Sequence, residues 1–229
     1  MFDSAKTKAV LWDLDDTLYS RVEAAKKTFP GMFRELLYPN RGEDFIKDAV
    51  AYMMTRLRPN SMIHEDTFRD LLANYPPDRP YDRPACLDYY YEHISEFAVP
   101  YPDAIEVVQK LRAKGIKTAI VTNISEDRVY SQKKKIEALN LAPLFDEIII
   151  SGELGMHKPN REIFDYAAKK LGVSNEECIF VGDDVDSDVM GGLNAEMEVV
   201  WIDRWGKGDL FPNEFRVHRV DSVLEYFNL

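Results

Sequence analysis

Val10-Leu11-Trp12-Asp13-Leu14-Asp15-Asp16-Thr17-Leu18 is the stretch whose reading decides the fold. The run from Ala9 to Trp12 is apolar, short and rich in strand formers, which predicts a buried β-strand and not a helix. It delivers two carboxylates, Asp13 and Asp15, two residues apart. The two-residue side-chain period of extended backbone aims both toward one side, with Leu14 pointing the other way. Two like charges at the end of a buried strand are costly unless a cation or a proton settles them. A divalent metal is the direct solution.

Working outward, the residues that follow change character. From Tyr19 to about Tyr91 apolar residues fall at helical spacing, as in Ala24, Ala25, Phe29, Met32, Phe33, Leu36 and Leu37. Pro39-Asn40, Arg58-Pro59-Asn60 and the proline-rich Tyr75–Pro84 stretch punctuate that span. No parallel strand is predicted in it. We therefore expect a helical insertion over 20–95, between the halves of a unit formed by 1–19 and 96–229.

Beyond Pro100 helices and strands alternate. Pro102-Asp103 opens a helix that Gly115 stops. Strands are predicted over Lys117–Val121, Glu147–Ile150, Cys178–Val181, Glu198–Ile202 and, as a short edge, Arg216–Val220. Helices fall between them, one opening at Ser125, one at Pro159, and Val223–Phe227 closes the chain; Ser174 and Glu177 are placed to cap the turn before Cys178. This alternation predicts βαβ units and a doubly wound α/β fold with a parallel sheet covered on both faces.

The 229 residues suffice for a full core and a second, smaller domain. A net charge of −11 argues against a nucleic-acid polymer as partner, since such binders exchange a basic face for counterions. Cys86 and Cys178 are too few for a disulfide framework, and no apolar run is long enough to span a bilayer. A cytoplasmic protein with no membrane partner, monomer or homodimer, is the expectation.

In an open parallel sheet, ligands bind outside the carboxyl ends of the strands. Those ends carry Asp13 and Asp15, Thr122 and Asn123, a loop leading to Lys158, and Asp183 and Asp184 with Asp188 beyond. Carboxylates, a hydroxyl beside backbone N–H groups, and a cation are the equipment for handling a phosphoryl group with Mg²⁺, a hard ion that takes oxygen ligands.

With those residues in order, the chain resembles the haloacid dehalogenase-like hydrolase superfamily, in its phosphatase branch with an α-helical cap. Asp13-Leu14-Asp15-Asp16-Thr17-Leu18 is similar to the first motif of that family, Thr122-Asn123 to the second, Lys158 in Gly155-Met156-His157-Lys158-Pro159-Asn160 to the third, and Gly182-Asp183-Asp184 through Asp188 to the fourth. The resemblance implies a Rossmann-like core with a small all-α cap inserted after the first strand, and an Mg²⁺-dependent phosphomonoester hydrolase for a small phosphorylated metabolite. It further implies that Asp13 is the nucleophile and forms an aspartyl-phosphate, and that Asp15 is the acid and then the base. Mg²⁺ would be held by Asp13, the backbone carbonyl of Asp15, and Asp183. Thr122 and the Asn123 N–H would hold phosphoryl oxygens, and Lys158 would neutralise charge on Asp13 and the transferring group. Asp188 would orient Lys158 or a metal-bound water, a role that Asp184 shares as an alternative.

Other features take plainer readings. The Lys133-Lys134-Lys135 run reads as a solvated face, His157 as a loop histidine and Asp186 as exposed. His64, His93 and His218 are scattered and suggest no metal cluster. Tyr89-Tyr90-Tyr91 read as packing, and Arg56 and Arg58 as exposed or ion-paired. Two rival functions stay in view. A 2-haloacid dehalogenase-type hydrolase is one, against which Asp15 and Asp183 both count. The other is a silent domain that binds a partner, against which the retained nucleophile, acid and lysine count.

Overall fold

The computed structural model describes residues 2–56, 65–204 and 217–228. In chain order these form β1 (Ala9–Trp12), α1 (Arg21–Met32), α2 (Glu43–Met54), α3 (Glu65–Asn74), α4 (Arg83–His93), α5 (Pro102–Ala113), β2 (Lys117–Thr122), α6 (Val129–Ala138), β3 (Glu147–Ile150), α7 (Ser151–Leu154), α8 (Arg161–Leu171), β4 (Cys178–Gly182), α9 (Met190–Asn194), β5 (Glu198–Ile202), β6 (Val217–Val220) and α10 (Val223–Phe227). Two compact units result, Met1–Ser20 with Val99–Leu229, and Arg21–Ala98.

The first unit is a doubly wound α/β fold. All six strands are parallel, in the order β3-β2-β1-β4-β5-β6. All four residues of β1 are buried, which a central strand covered on both faces requires. Ala9 and Leu11 pack with Phe164, Ala167 and Leu171 of α8 on one side. On the other, the Trp12 ring stacks at 6.0 Å on Phe227 of α10. Because β1 is flanked by β2 and β4, the order reverses at β1, and the crevice at the carboxyl ends of these three strands is where such a fold receives ligands.

Local signals act as the sequence indicated. Ser174 and Glu177 form a capping box, the Glu177 carboxylate accepting from the Ser174 N–H at 3.0 Å. Three details differ. Ser125 precedes a short turn (Glu126–Arg128) without capping it through its side chain, and α8 begins at Arg161 with Asn160 at its N-cap. Directly after the strand Glu147–Ile150, where no helix is predicted, Ser151-Gly152-Glu153 begins α7. The edge strand is described from Val217, so Arg216 lies outside the described residues.

After β1 the chain turns tightly. The Leu18 N–H donates to the Leu14 carbonyl at 3.0 Å, and Asp16 sits at φ +62°. Aspartate tolerates that left-handed region better than most side chains. At the exit, Tyr19 forms an isolated antiparallel bridge with Pro100, and the Tyr101 N–H donates to the Leu18 carbonyl at 2.9 Å.

The second unit, Arg21–Ala98, has helices and connecting loops and no strand among its described residues. Its interior is a chain of aromatic contacts: Phe29 with Phe33 and Tyr90, Phe33 with Tyr38, Tyr38 with Phe45, and Phe45 with Tyr75. Of the three consecutive tyrosines, Tyr90 is buried in this core, and the Tyr89 hydroxyl donates to Glu35 at 3.3 Å. Arg56 is exposed and lies 5.0 Å from the Tyr52 ring centroid, while Arg58 and His64 lie outside the described residues. Cys86 and Cys178 are free thiols buried in the two units. Among the described residues, no helix is long and apolar enough to cross a membrane.

Candidate active site

The carboxyl ends of β1, β2 and β4 bring the sequence-selected residues together. Asp13 directly follows β1, and its N–H donates to the Val181 carbonyl at 2.9 Å, extending the β1–β4 ladder by one step. Thr122 ends β2, Asp183 directly follows β4, and Asp188 lies on the wide helical turn Val185–Val189 beyond it.

Lys158 stands between two of the carboxylates. Its Nζ donates to Asp13 Oδ1 at 2.6 Å and to Asp188 Oδ1 at 2.7 Å, and the side chain is 1% exposed. The loop that carries it is fixed through its backbone. Asn123 Oδ1 accepts from the Lys158 N–H at 3.0 Å, and Asn123 Nδ2 donates to the Lys158 carbonyl at 2.8 Å. Asn123 thus holds the lysine loop with its side chain, a role beyond its expected N–H contact.

Asp188 is locked from both sides, because its second oxygen accepts from the Asp184 N–H at 3.1 Å. Asp184 itself caps the turn, its Oδ1 accepting from the Ser187 N–H at 2.6 Å. The two alternatives of the sequence differ in contacts: Asp188 touches Lys158, and Asp184 serves the turn. Gly182 makes room for this, since a Cβ there would lie 2.5 Å from Asp188 Cβ and Cγ.

Asp13, Asp183 and Asp188 are all buried and present oxygens within 4.8 Å of one another. Burial pushes the Asp13 carboxyl up to about 7, with Lys158 pulling it down and Asp188 and Asp15 raising it. Burial opposes the Lys158 charge, yet Asp13 and Asp188 outweigh it and keep the ammonium protonated. Hard carboxylate oxygens under mutual repulsion, those of Asp13 and Asp183 foremost, suit a divalent cation, which would offset burial and repulsion together.

Asp15 has a different set of partners. The two aspartates, read in the sequence as a pair facing one cation, each hold a lysine of their own. Lys135 Nζ donates to Asp15 Oδ1 at 2.7 Å and Oδ2 at 3.0 Å. Gln132 Nε2 lies 3.1 Å from Asp15 Oδ2 and 2.7 Å from Thr122 Oγ1, and Tyr19 donates its hydroxyl proton to Asp15 Oδ1 at 2.5 Å. Lys135 is therefore no part of a solvated face. It is buried, with its side chain 5% exposed, while Lys133 and Lys134 are exposed as expected. The signal that marks it is helix phase: Ser131, Gln132, Lys135, Ile136 and Leu139 are buried along one stripe of α6 and its end. His157 and Asp186 are exposed, and His93 and His218 pair with Glu96 and Glu198.

Comparison with known proteins gives the family. Residues 7–196 match the haloacid dehalogenase-like hydrolases. The chain is 30% identical to a glyceraldehyde 3-phosphate phosphatase of Methanopyrus kandleri over 226 residues, 95% of this chain and 96% of that one. It is 29% identical to a ribulose-1,5-bisphosphate 5-phosphatase of Halopiger xanaduensis, over 96% of this chain and 98% of that one. A crystal structure of a phosphatase of the same superfamily from Thermococcus onnurineus superposes with a TM-score of 0.62 at 25% identity, covering 97% of each chain.

Proposed function

The chain belongs to the haloacid dehalogenase-like hydrolases, in their phosphatase branch, and from that premise we propose that it is an Mg²⁺-dependent hydrolase of small phosphomonoesters working through an aspartyl-phosphate. The observation that carries the reading is Lys158 Nζ, buried between Asp13 and Asp188 with Asp183 beside them. A buried ammonium beside a carboxylate nucleophile is suited to a transferring group that brings its own negative charge.

Each side chain has a definable task. An Asp13 oxygen bonds to phosphorus as the phosphorus–oxygen bond to the leaving group breaks. Asp15 passes its proton to that oxygen, which departs as an alcohol. A water oxygen then bonds to phosphorus, Asp15 takes the water proton, and the Asp13–phosphorus bond breaks to give inorganic phosphate and the original carboxylate. Thr122 and the Asn123 N–H hold phosphoryl oxygens, and Lys158 balances charge on Asp13 and the group in flight. Mg²⁺, when held by Asp13, Asp183 and the Asp15 backbone carbonyl, supplies further neutralisation of the phosphoryl oxygens. Asp188 already engages Lys158 and the Asp184 N–H with its two oxygens, which favours an orienting task over metal ligation.

Relatives named for glyceraldehyde 3-phosphate and ribulose bisphosphate favour a compact sugar phosphate as substrate. The test is phosphate release from a panel of small phosphomonoesters, with Mg²⁺ and with EDTA, on wild type and Asp13→Asn. Release that needs the metal and falls by at least about 10⁴-fold in the variant supports the reading. Halide release from a 2-haloacid in EDTA, with no phosphate release, overturns it.

A further inference from the structure

We propose that Lys135 is a positioning residue that aims Asp15 at the leaving-group oxygen, an inference that rests on the acid role given to Asp15 above. Placing an ammonium on a buried helix face is costly, and the cost is offset only where a partner meets it closely. Here Asp15 meets it with both oxygens, at 2.7 and 3.0 Å. Gln132, one helical turn earlier on α6, adds a contact to Oδ2, and Tyr19 adds one to Oδ1. The Lys135 ammonium also lies 5.6 Å from the Tyr19 ring centroid. Three residues from two segments thus fix the orientation of the Asp15 side chain, and Gln132 ties it to Thr122, whose Oγ1 its Nε2 meets at 2.7 Å.

The geometry separates this task from that of Lys158. Lys158 contacts the nucleophile, so its loss slows every substrate. Lys135 contacts the proton donor, so its loss matters in proportion to how much the leaving oxygen needs a proton. An alkoxide departs poorly without one, whereas p-nitrophenolate departs unaided.

The experiment measures kcat/KM, which reports the step that expels the leaving group, for an alkyl phosphate and for p-nitrophenyl phosphate. Each is measured with Mg²⁺ on wild type, Asp15→Asn and Lys135→Met. The alkyl-to-aryl ratio cancels the fraction of folded enzyme in each preparation, so a purely structural loss leaves it unmoved. We expect Asp15→Asn to lower the ratio by about 10²-fold or more, within the range for general acid catalysis. Lys135→Met should lower it in the same direction, by about 10-fold or more. A ratio unchanged in Lys135→Met but lowered in Asp15→Asn overturns the positioning role alone. A ratio unchanged in Asp15→Asn overturns the acid assignment beneath it. Lys135→Gln, read by the same ratio, serves if the methionine variant does not fold.

Discussion

On the β4 side of the site Lys158 reaches Asp13 and Asp188 from a loop; on the β2 side Lys135 reaches Asp15 from a helix. Both ammonium groups are buried, both meet carboxylates at 2.6 to 2.7 Å, and the chain prepares for them differently. Lys158 is placed by its backbone, which Asn123 clasps at both N–H and carbonyl. Lys135 is placed by rotation about the axis of α6, which turns it inward while Lys133 and Lys134 face solvent. A loop lysine therefore depends on what grips the loop, and a helix lysine on its phase against the apolar stripe.

The largest test of that contrast is Lys158→Met. It leaves two buried carboxylates without their cation, so phosphate release should fall by about 10³-fold for alkyl and aryl phosphates alike. Urea denaturation should register a loss of about 3–5 kcal/mol. An aryl phosphate that is spared would erase the distinction between the two lysines. Gly182→Ala is the gentler probe of the same side. Its Cβ would press on Asp188, so a loss of about 1–3 kcal/mol is expected in the denaturation midpoint. Activity should fall with the alkyl-to-aryl ratio preserved, and a changed ratio would mean that the two sides are mechanically joined. Lys134→Ala is the smallest. Removing the lysine next to Lys135 should leave both kcat/KM values and the melting temperature at wild type, and any change in the ratio would undo the argument from helix phase.

Much of this arrangement is legible in the sequence. Ala9–Trp12 announced a buried central strand because a parallel strand covered on both faces has no polar side to show. Asp13, Thr122, Lys158 and Asp183 stood at strand ends or on the loops beyond them, where this kind of sheet gathers its chemistry. What escaped was Lys135, because three consecutive lysines suggest solvent by composition, while burial on a helix follows angle. Gln132 escaped for the same reason. Its neighbours Ser131, Ile136 and Leu139 carried the phase, but they sit among charges that mask an apolar stripe. The Asp188 contact with Lys158 was legible as one of two options, and the hydrogen bonds of Asp184 and Asp188 show how their contacts differ.

The bridge between Tyr19 and Pro100 has a consequence for how the chain can vary. Bridged residues sit about 5 Å apart, so the trace of the α/β unit is closed to within a step or two of backbone when 21–98 is set aside. In topological terms the helical unit is a cassette spliced at one seam. Any segment whose two ends meet that short gap satisfies the seam, whatever its length or fold, and no strand of the sheet has to move to accept it. Inheritance can then rewrite the cassette and the sheet at separate rates, with the seam as their common boundary.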